Sequence, residues 1–182
     1  IKEAISHYKM AISLKPDLAQ AHNNFGSALL AEGKIEEASF HFKLAIKLQP
    51  NFALAHYNLG LILKAKRKTE EAISEYKIAI KINPDFPQAH NNLGNALLAE
   101  GKIEAAISHY KIAISLKSDY AAAHSNLGAA LFQKGELKEA IDHYRETLKL
   151  KPDLVVAQKN LEAALLFPAQ KPMKKNNNKN IQ

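Results

Sequence analysis

The sequence predicts an all-α fold, a solenoid in which antiparallel helix pairs stack side by side. Two observations carry that prediction. Pro16, Pro50, Pro84, Ser118 and Pro152 recur at a fixed interval of 34 residues. Between them, apolar residues return at helical spacing, as in Phe25 with Leu29, Leu59 with Leu63, Leu93 with Leu97 and Leu127 with Leu131, which is the signature of one buried helix face. A unit this short cannot bury that face alone, so it must stack on its neighbours.

In register, residues 1–18 read as the second helix of an incomplete unit, with Ala4, Tyr8, Ala11 and Ile12 in the columns that later units repeat. The chain opens inside a repeat, which reads as part of something longer, and the apolar face of this helix is expected to be exposed. Complete units follow at 19–52, 53–86, 87–120 and 121–154. Each begins with a helix that runs to turn chemistry at Gly33, Gly101 or Gly135; the second complete unit carries Arg67 there. Each continues with a second helix bearing Ala38, Phe42, Ala45 and Ile46 or their equivalents, and ends before the proline, which cannot continue a helix. Asp17, Asn51, Asp85, Asp119 and Asp153 are expected as N-caps of the next first helix, with Gln20 and Gln88 completing capping boxes. Residues 155–167 match a first helix alone and read as a cap, with Glu162 where Gly26, Gly60, Gly94 and Gly128 stand elsewhere. Those glycines are expected to face Ala38, Ala72, Ala106 and Ala140 across each hairpin. Residues 168–182, almost entirely Lys, Asn, Gln and Pro, read as a disordered basic tail.

Composition excludes several functions. Without cysteine there are no disulfides, thiolate metal sites or thiol nucleophiles, and no apolar run is long enough to span a bilayer. The net charge of +7 owes four to Lys171, Lys174, Lys175 and Lys179, so the repeats themselves are only mildly basic. Four lysines among asparagines, without arginine or aromatic residues, do not make a nucleic-acid surface. The eight histidines fall in two columns, His22, His56, His90 and His124, and His7, His41, His109 and His143. No two of them share the one-face spacing of a helical metal site, and each first-helix histidine is expected to pack near Phe42, Tyr76, Tyr110 or Tyr144 of its own hairpin. Neither a metal nor a cofactor is expected. Gly26 to Lys34 and Gly94 to Lys102 have the wrong spacing for phosphate loops, and Glu36, Glu37, Glu70, Glu71 and Glu104 suit the positive end of a helix dipole rather than acid–base catalysis.

The pattern of an aromatic or polar residue, two intervening residues and Leu-Gly, then Ala-x3-aromatic, then Pro resembles the tetratricopeptide repeat family. In the unit from 87 the matching residues are His90, Leu93, Gly94, Leu97, Ala106, Tyr110 and Ala113. The departures are histidine for tryptophan, leucine for tyrosine, Ser118 for proline and Thr147 for alanine. The resemblance implies a right-handed superhelix whose first helices line a concave groove that binds proteins or peptides. One asparagine per unit, Asn24, Asn58, Asn92, Asn126 and Asn160, is similar to the asparagine ladder of the O-linked N-acetylglucosamine transferase repeats, where amides grip the backbone of an extended peptide; an amide offers a donor and an acceptor together. Packing between neighbouring helices is the other reading of that column. Further groove positions are Asn23, Tyr57, Leu61, Lys64, Asn91, Asn95 and Phe132. With no arginine and only isolated lysines, the groove does not resemble a clamp for acidic chaperone tails. The expected function is a non-catalytic peptide-binding module. The alternatives are the substrate-recognition region of a larger enzyme such as a glycosyltransferase, and self-association through the incomplete first helix.

Overall fold

The computed structural model describes residues 2–167, all of whose regular structure is helical. Ten helices follow one another: α1 (Lys2–Leu14), α2 (Ala19–Ala31), α3 (Ile35–Leu48), α4 (Ala53–Ala65), α5 (Thr69–Ile82), α6 (Pro87–Ala99), α7 (Ile103–Leu116), α8 (Ala121–Lys134), α9 (Leu137–Leu150) and α10 (Val155–Leu166). The expected basic tail lies outside the described residues. Pairs α2/α3, α4/α5, α6/α7 and α8/α9 form the tightest hairpins, and each packs on the next. First helices also reach past their neighbours, α2 to α4, α6 to α8 and α8 to α10, whereas second helices do not touch to the same extent. The stack therefore curves toward the first helices, which form its inner, concave side.

Close approach within each hairpin depends on the glycine column, chiefly through the aromatic rather than the expected alanine, although the Ala38 carbonyl oxygen would also lie 3.2 Å from a Cβ at Gly26. A Cβ at Gly60 or Gly94 would lie 2.6 Å from a ring carbon of Tyr76 or Tyr110, and at Gly26 or Gly128 2.8 Å from Phe42 or Tyr144. The glycines thus make room for the second-helix aromatic, and the alanines sit beside that contact, fully buried. Glu162 occupies this column on α10 and is exposed.

Helix starts also differ from expectation. The N-cap residues are Leu18, Phe52, Phe86, Tyr120 and Leu154, none with a side-chain cap. The predicted Asp17, Asn51, Asp85, Asp119 and Asp153 stand one residue earlier. Packing sets the entry instead: Phe52 joins a small cluster with Ala19, Ala45 and Ala55, and the Phe86 ring lies 4.8 Å from that of Tyr57. Gln20, rather than closing a capping box, donates to Asn24 Oδ1 at 2.9 Å. At the turns, Gly33, Gly101 and Gly135 have φ of 77°, 74° and 86°, and Arg67 adopts the same left-handed conformation at 59°. For a residue with a Cβ this costs on the order of 1 kcal/mol.

On α1, Ile5 is buried, Tyr8 and Ile12 pack partly against the core, and Met10 and Leu14 are exposed. No helix among the described residues is long and apolar enough to cross a membrane.

Candidate functional site

The asparagine column lies on the concave side, each member half-buried, and much of it is tied to the preceding repeat. Asn58 Nδ2 donates to Asn23 Oδ1 at 3.0 Å, Asn126 Nδ2 to Asn91 Oδ1 at 2.9 Å, and Asn92 Nδ2 to the Tyr57 hydroxyl at 3.0 Å. Asn23 and Asn91 pass the contact sideways to Asn24 and Asn92, at 3.3 and 3.4 Å. Two polar relays result, one through Asn58, Asn23 and Asn24, the other through Asn126, Asn91, Asn92 and Tyr57. Asn23 and Asn91, expected on the groove surface, are only 1% and 4% exposed; they serve as the buried acceptors that fix the ladder. Asn160 makes no such bond to its neighbour.

The network leaves usable groups. The Oδ1 atoms of Asn58 and Asn126 have no partner within the chain, and each bridging amide nitrogen retains one N–H. These amides are held in orientation while offering one donor and one acceptor to the groove. Tyr57 is half-buried between Phe86 and Tyr76; burial raises the pKa of its hydroxyl and the nearby Tyr120 adds to that, against the hydrogen bond from Asn92. Leu61 and Phe132 are half-buried on the core, the latter edge-on to Phe167 at 5.5 Å. Asn95 accepts from the Tyr110 hydroxyl at 2.8 Å, and Lys64 is exposed. The equivalent of Tyr110 one repeat earlier, Tyr76, is wholly buried and its hydroxyl has no partner, because Leu61 stands where Asn95 would receive it. The bridges join residues 35 apart; a period of 34 relates equivalent residues, so the offset that makes these contacts is not one a column alignment displays.

The first-helix histidines are hydrogen-bonded, and the second-helix His41 also packs on Phe25 and Phe40, at 4.6 and 5.2 Å between ring centroids. First-helix Nε2 meets a main-chain oxygen in every hairpin, Pro16, Pro50, Pro84 or Ser118, at 2.9–3.1 Å. A carbonyl only accepts, so Nε2 carries the proton, and in the three hairpins whose outer partner is a histidine Nδ1 is the acceptor. That nitrogen receives Nδ1–H of His41, His109 or His143 at 3.0–3.1 Å. The His22 and His41 centroids are 5.2 Å apart with planes 16° from parallel, so the rings meet end to end rather than face to face. Burial lowers the pKa of His41, His109 and His143, and the partner histidine lowers it further. In the second hairpin Glu75 replaces the outer histidine, and its Oε2 lies 2.7 Å from His56 Nδ1.

Comparison with known proteins places this architecture. A family model described as TPR repeat matches residues 26–67, 62–101 and 94–135, and one described as Tetratricopeptide repeat matches 121–154. No curated protein matches at the level of sequence. Among solved structures, YrrB, described as a TPR protein with an unusual peptide-binding site, is 22% identical with a TM-score of 0.76 over 86% of this chain and 81% of its own. MamA is 25% identical, TM-score 0.72, over 81% of this chain and 86% of its own. The first TPR of Spaghetti (RPAP3), bound to the HSP90 peptide SRMEEVD, is 29% identical, TM-score 0.61, over 62% of this chain and 90% of its own.

Proposed function

Because the chain belongs to the tetratricopeptide repeat family, we propose that its concave face is a non-catalytic groove for an extended peptide or partner segment, read by the ladder Asn24, Asn58, Asn92, Asn126 and Asn160. The carrying observation is that the amides of Asn58 and Asn126 are fixed in place by Asn23 and Asn91 while keeping a donor and an acceptor free. An ordered amide that faces solvent binds a peptide group with less entropy lost than a free one. Successive first helices stand farther apart than the about 8–10 Å of directly packed helices, and an extended chain advances about 3.3 Å per residue, so one asparagine meets every third residue at most. Recognition of this kind reads main chain and tolerates many side chains, as the ladder's similarity to that of the O-linked N-acetylglucosamine transferase repeats also suggests. Tyr57, Leu61 and Phe132 add apolar contacts and Asn95 and Lys64 polar ones. A groove with only isolated lysines and no arginine is poorly matched to an acidic peptide of the kind RPAP3 holds.

The test separates binding from scaffolding. A peptide selected on an array against the intact groove is titrated into Asn160→Ala, where no inter-repeat bond is lost, and into Asn58→Ala, where one is. Weaker binding in both, with the thermal midpoint lowered only in Asn58→Ala, is the expected result. Full affinity in both variants refutes the reading.

A further inference from the structure

In a protein built by repetition, the residues that break the period mark where packing has been given up for something else. Several breaks converge on the convex side, between α3 and α5, away from the asparagine ladder. Ser39 stands in the column of Ile5, Ile73, Ile107 and Ile141; the first three of those isoleucines are core residues, and the serine leaves their space empty. Lys66 stands where Glu32 and Glu100 do in two other units, a column that Lys134 also fills with lysine, and Glu75 replaces His41, His109 and His143. What opens there is a cleft of about 250 Å³ floored by Leu59 and Leu63 and walled by Ser39, Ser74 and three lysines.

The polar groups of the cleft are unequally satisfied. Its two carboxylates are occupied, Glu75 by His56 at 2.7 Å and Glu71 by Lys68 at 2.8 Å. Lys66 is held by Glu36 at 2.6 Å, but Lys43 has no acidic partner. Ser39 is only 8% exposed and its hydroxyl bonds to no group of the chain. Ser27 and Ser108 return theirs to the carbonyl one turn back; Ser39 and Ser74, both lining the cleft, do not. Ser39 and Lys43 are four residues apart on α3 and so share a face. A hydroxyl that no group of the chain satisfies and an unpaired ammonium therefore both line the cleft above its apolar floor.

We propose that this cleft binds a short aliphatic carboxylate, its hydrocarbon on Leu59 and Leu63 and its carboxylate on Lys43 and the Ser39 hydroxyl. The volume falls below the roughly 300–1,000 Å³ of pockets for drug-sized ligands, which limits the occupant to side-chain size. Both a free acid and a partner's glutamate side chain have this chemistry.

The experiment records amide chemical shifts while the full chain is titrated with hexanoate, hexanol, hexylamine and a blocked Gly-Glu-Gly peptide. Saturable shifts at Ser39, Lys43, Leu63, Lys66 and Ser74 with hexanoate or the peptide, and none there with the alcohol or the amine, are expected. The tighter of the two acids identifies the source. Ser39→Ile, which installs the residue of the other units and raises the thermal midpoint, and Lys43→Gln should each weaken binding by about tenfold or more. Equal binding by hexanol or hexylamine, unchanged affinity in Ser39→Ile, or no saturable shift at the cleft overturns the proposal.

Discussion

One substitution, made in two repeats, should have opposite signs. Tyr76 and Tyr110 occupy the same column, both fully buried and both packed on a glycine, yet the Tyr110 hydroxyl donates to Asn95 while that of Tyr76 has no partner. In Tyr110→Phe one neutral hydrogen bond disappears, a loss of about 1 kcal/mol; Asn95 is half-buried, and water recovers part of its acceptor. In Tyr76→Phe a buried unsatisfied hydroxyl is removed, which relieves a penalty of about 1–3 kcal/mol, and Phe42 shows that the column accepts phenylalanine without other change. The two variants should therefore differ by about 2–4 kcal/mol. Urea unfolding at equal m-value is the appropriate assay, because the midpoint then reports stability alone. At about 2–4 °C per kcal/mol for a chain of this size, the thermal midpoints should move apart by several degrees. Equal destabilisation by both substitutions would refute the reasoning, since it would mean that the Tyr76 hydroxyl is satisfied.

Gly94→Ala should cost about 1–3 kcal/mol, because the new methyl lies 2.6 Å from a Tyr110 ring carbon within the core; a midpoint within half a degree of the parent would contradict that contact. Arg67→Gly should gain about 1 kcal/mol by relieving a left-handed φ of 59°, measured by the same urea titration. Acid should weaken the array. His41, His109 and His143 have folded pKa values below the ordinary imidazole value of 6.5, so the unfolded chain binds more protons. Stability is then complete above about pH 6.5 and falls below it, levelling off once the depressed folded values are passed. The charges facing these rings are His22 and Glu37 for His41, His90 and Lys77 for His109, and His124, Glu139, Lys111 and Asp142 for His143. His109→Glu copies the His56–Glu75 pair and should reduce the loss between pH 7.5 and 5; an unchanged pH profile would show that the imidazole pairs are not its source.

Most of the fold was legible in the sequence because repetition multiplies weak signals. A single Leu-Gly pair or Ala-x3-aromatic predicts little, whereas the same residues in four registered copies specify helix, turn and helix. Even Arg67 could be read as a strained turn from the glycines above and below it. The candidate site was legible only in outline. The column Asn24 to Asn160 stood out, but which amides are spent and which remain open depends on contacts between residues 35 apart, and these turned Asn23 and Asn91 from groove surface into buried acceptors. Ser39 and Glu75 also interrupt their columns; helical spacing alone puts Ser39 beside Lys43, but only the stacked repeats bring Glu75 to the same cleft.

By itself the sequence determined the repeat, its helical period, its turns and the small residues that let helices approach, because each follows from local propensity and from a pattern of burial that recurs. The tertiary structure alone decided partners. Asn51 and the aspartates that favour N-capping lost that place to Leu18, Phe52, Phe86, Tyr120 and Leu154, of which all but Leu18 are half-buried, a partial burial that outweighs one exposed cap bond. The aromatic took the glycine, which left each first-helix histidine to the second-helix residue 19 positions on. Such choices are set by the distance and tilt between helices, and those exist only once the stack has formed.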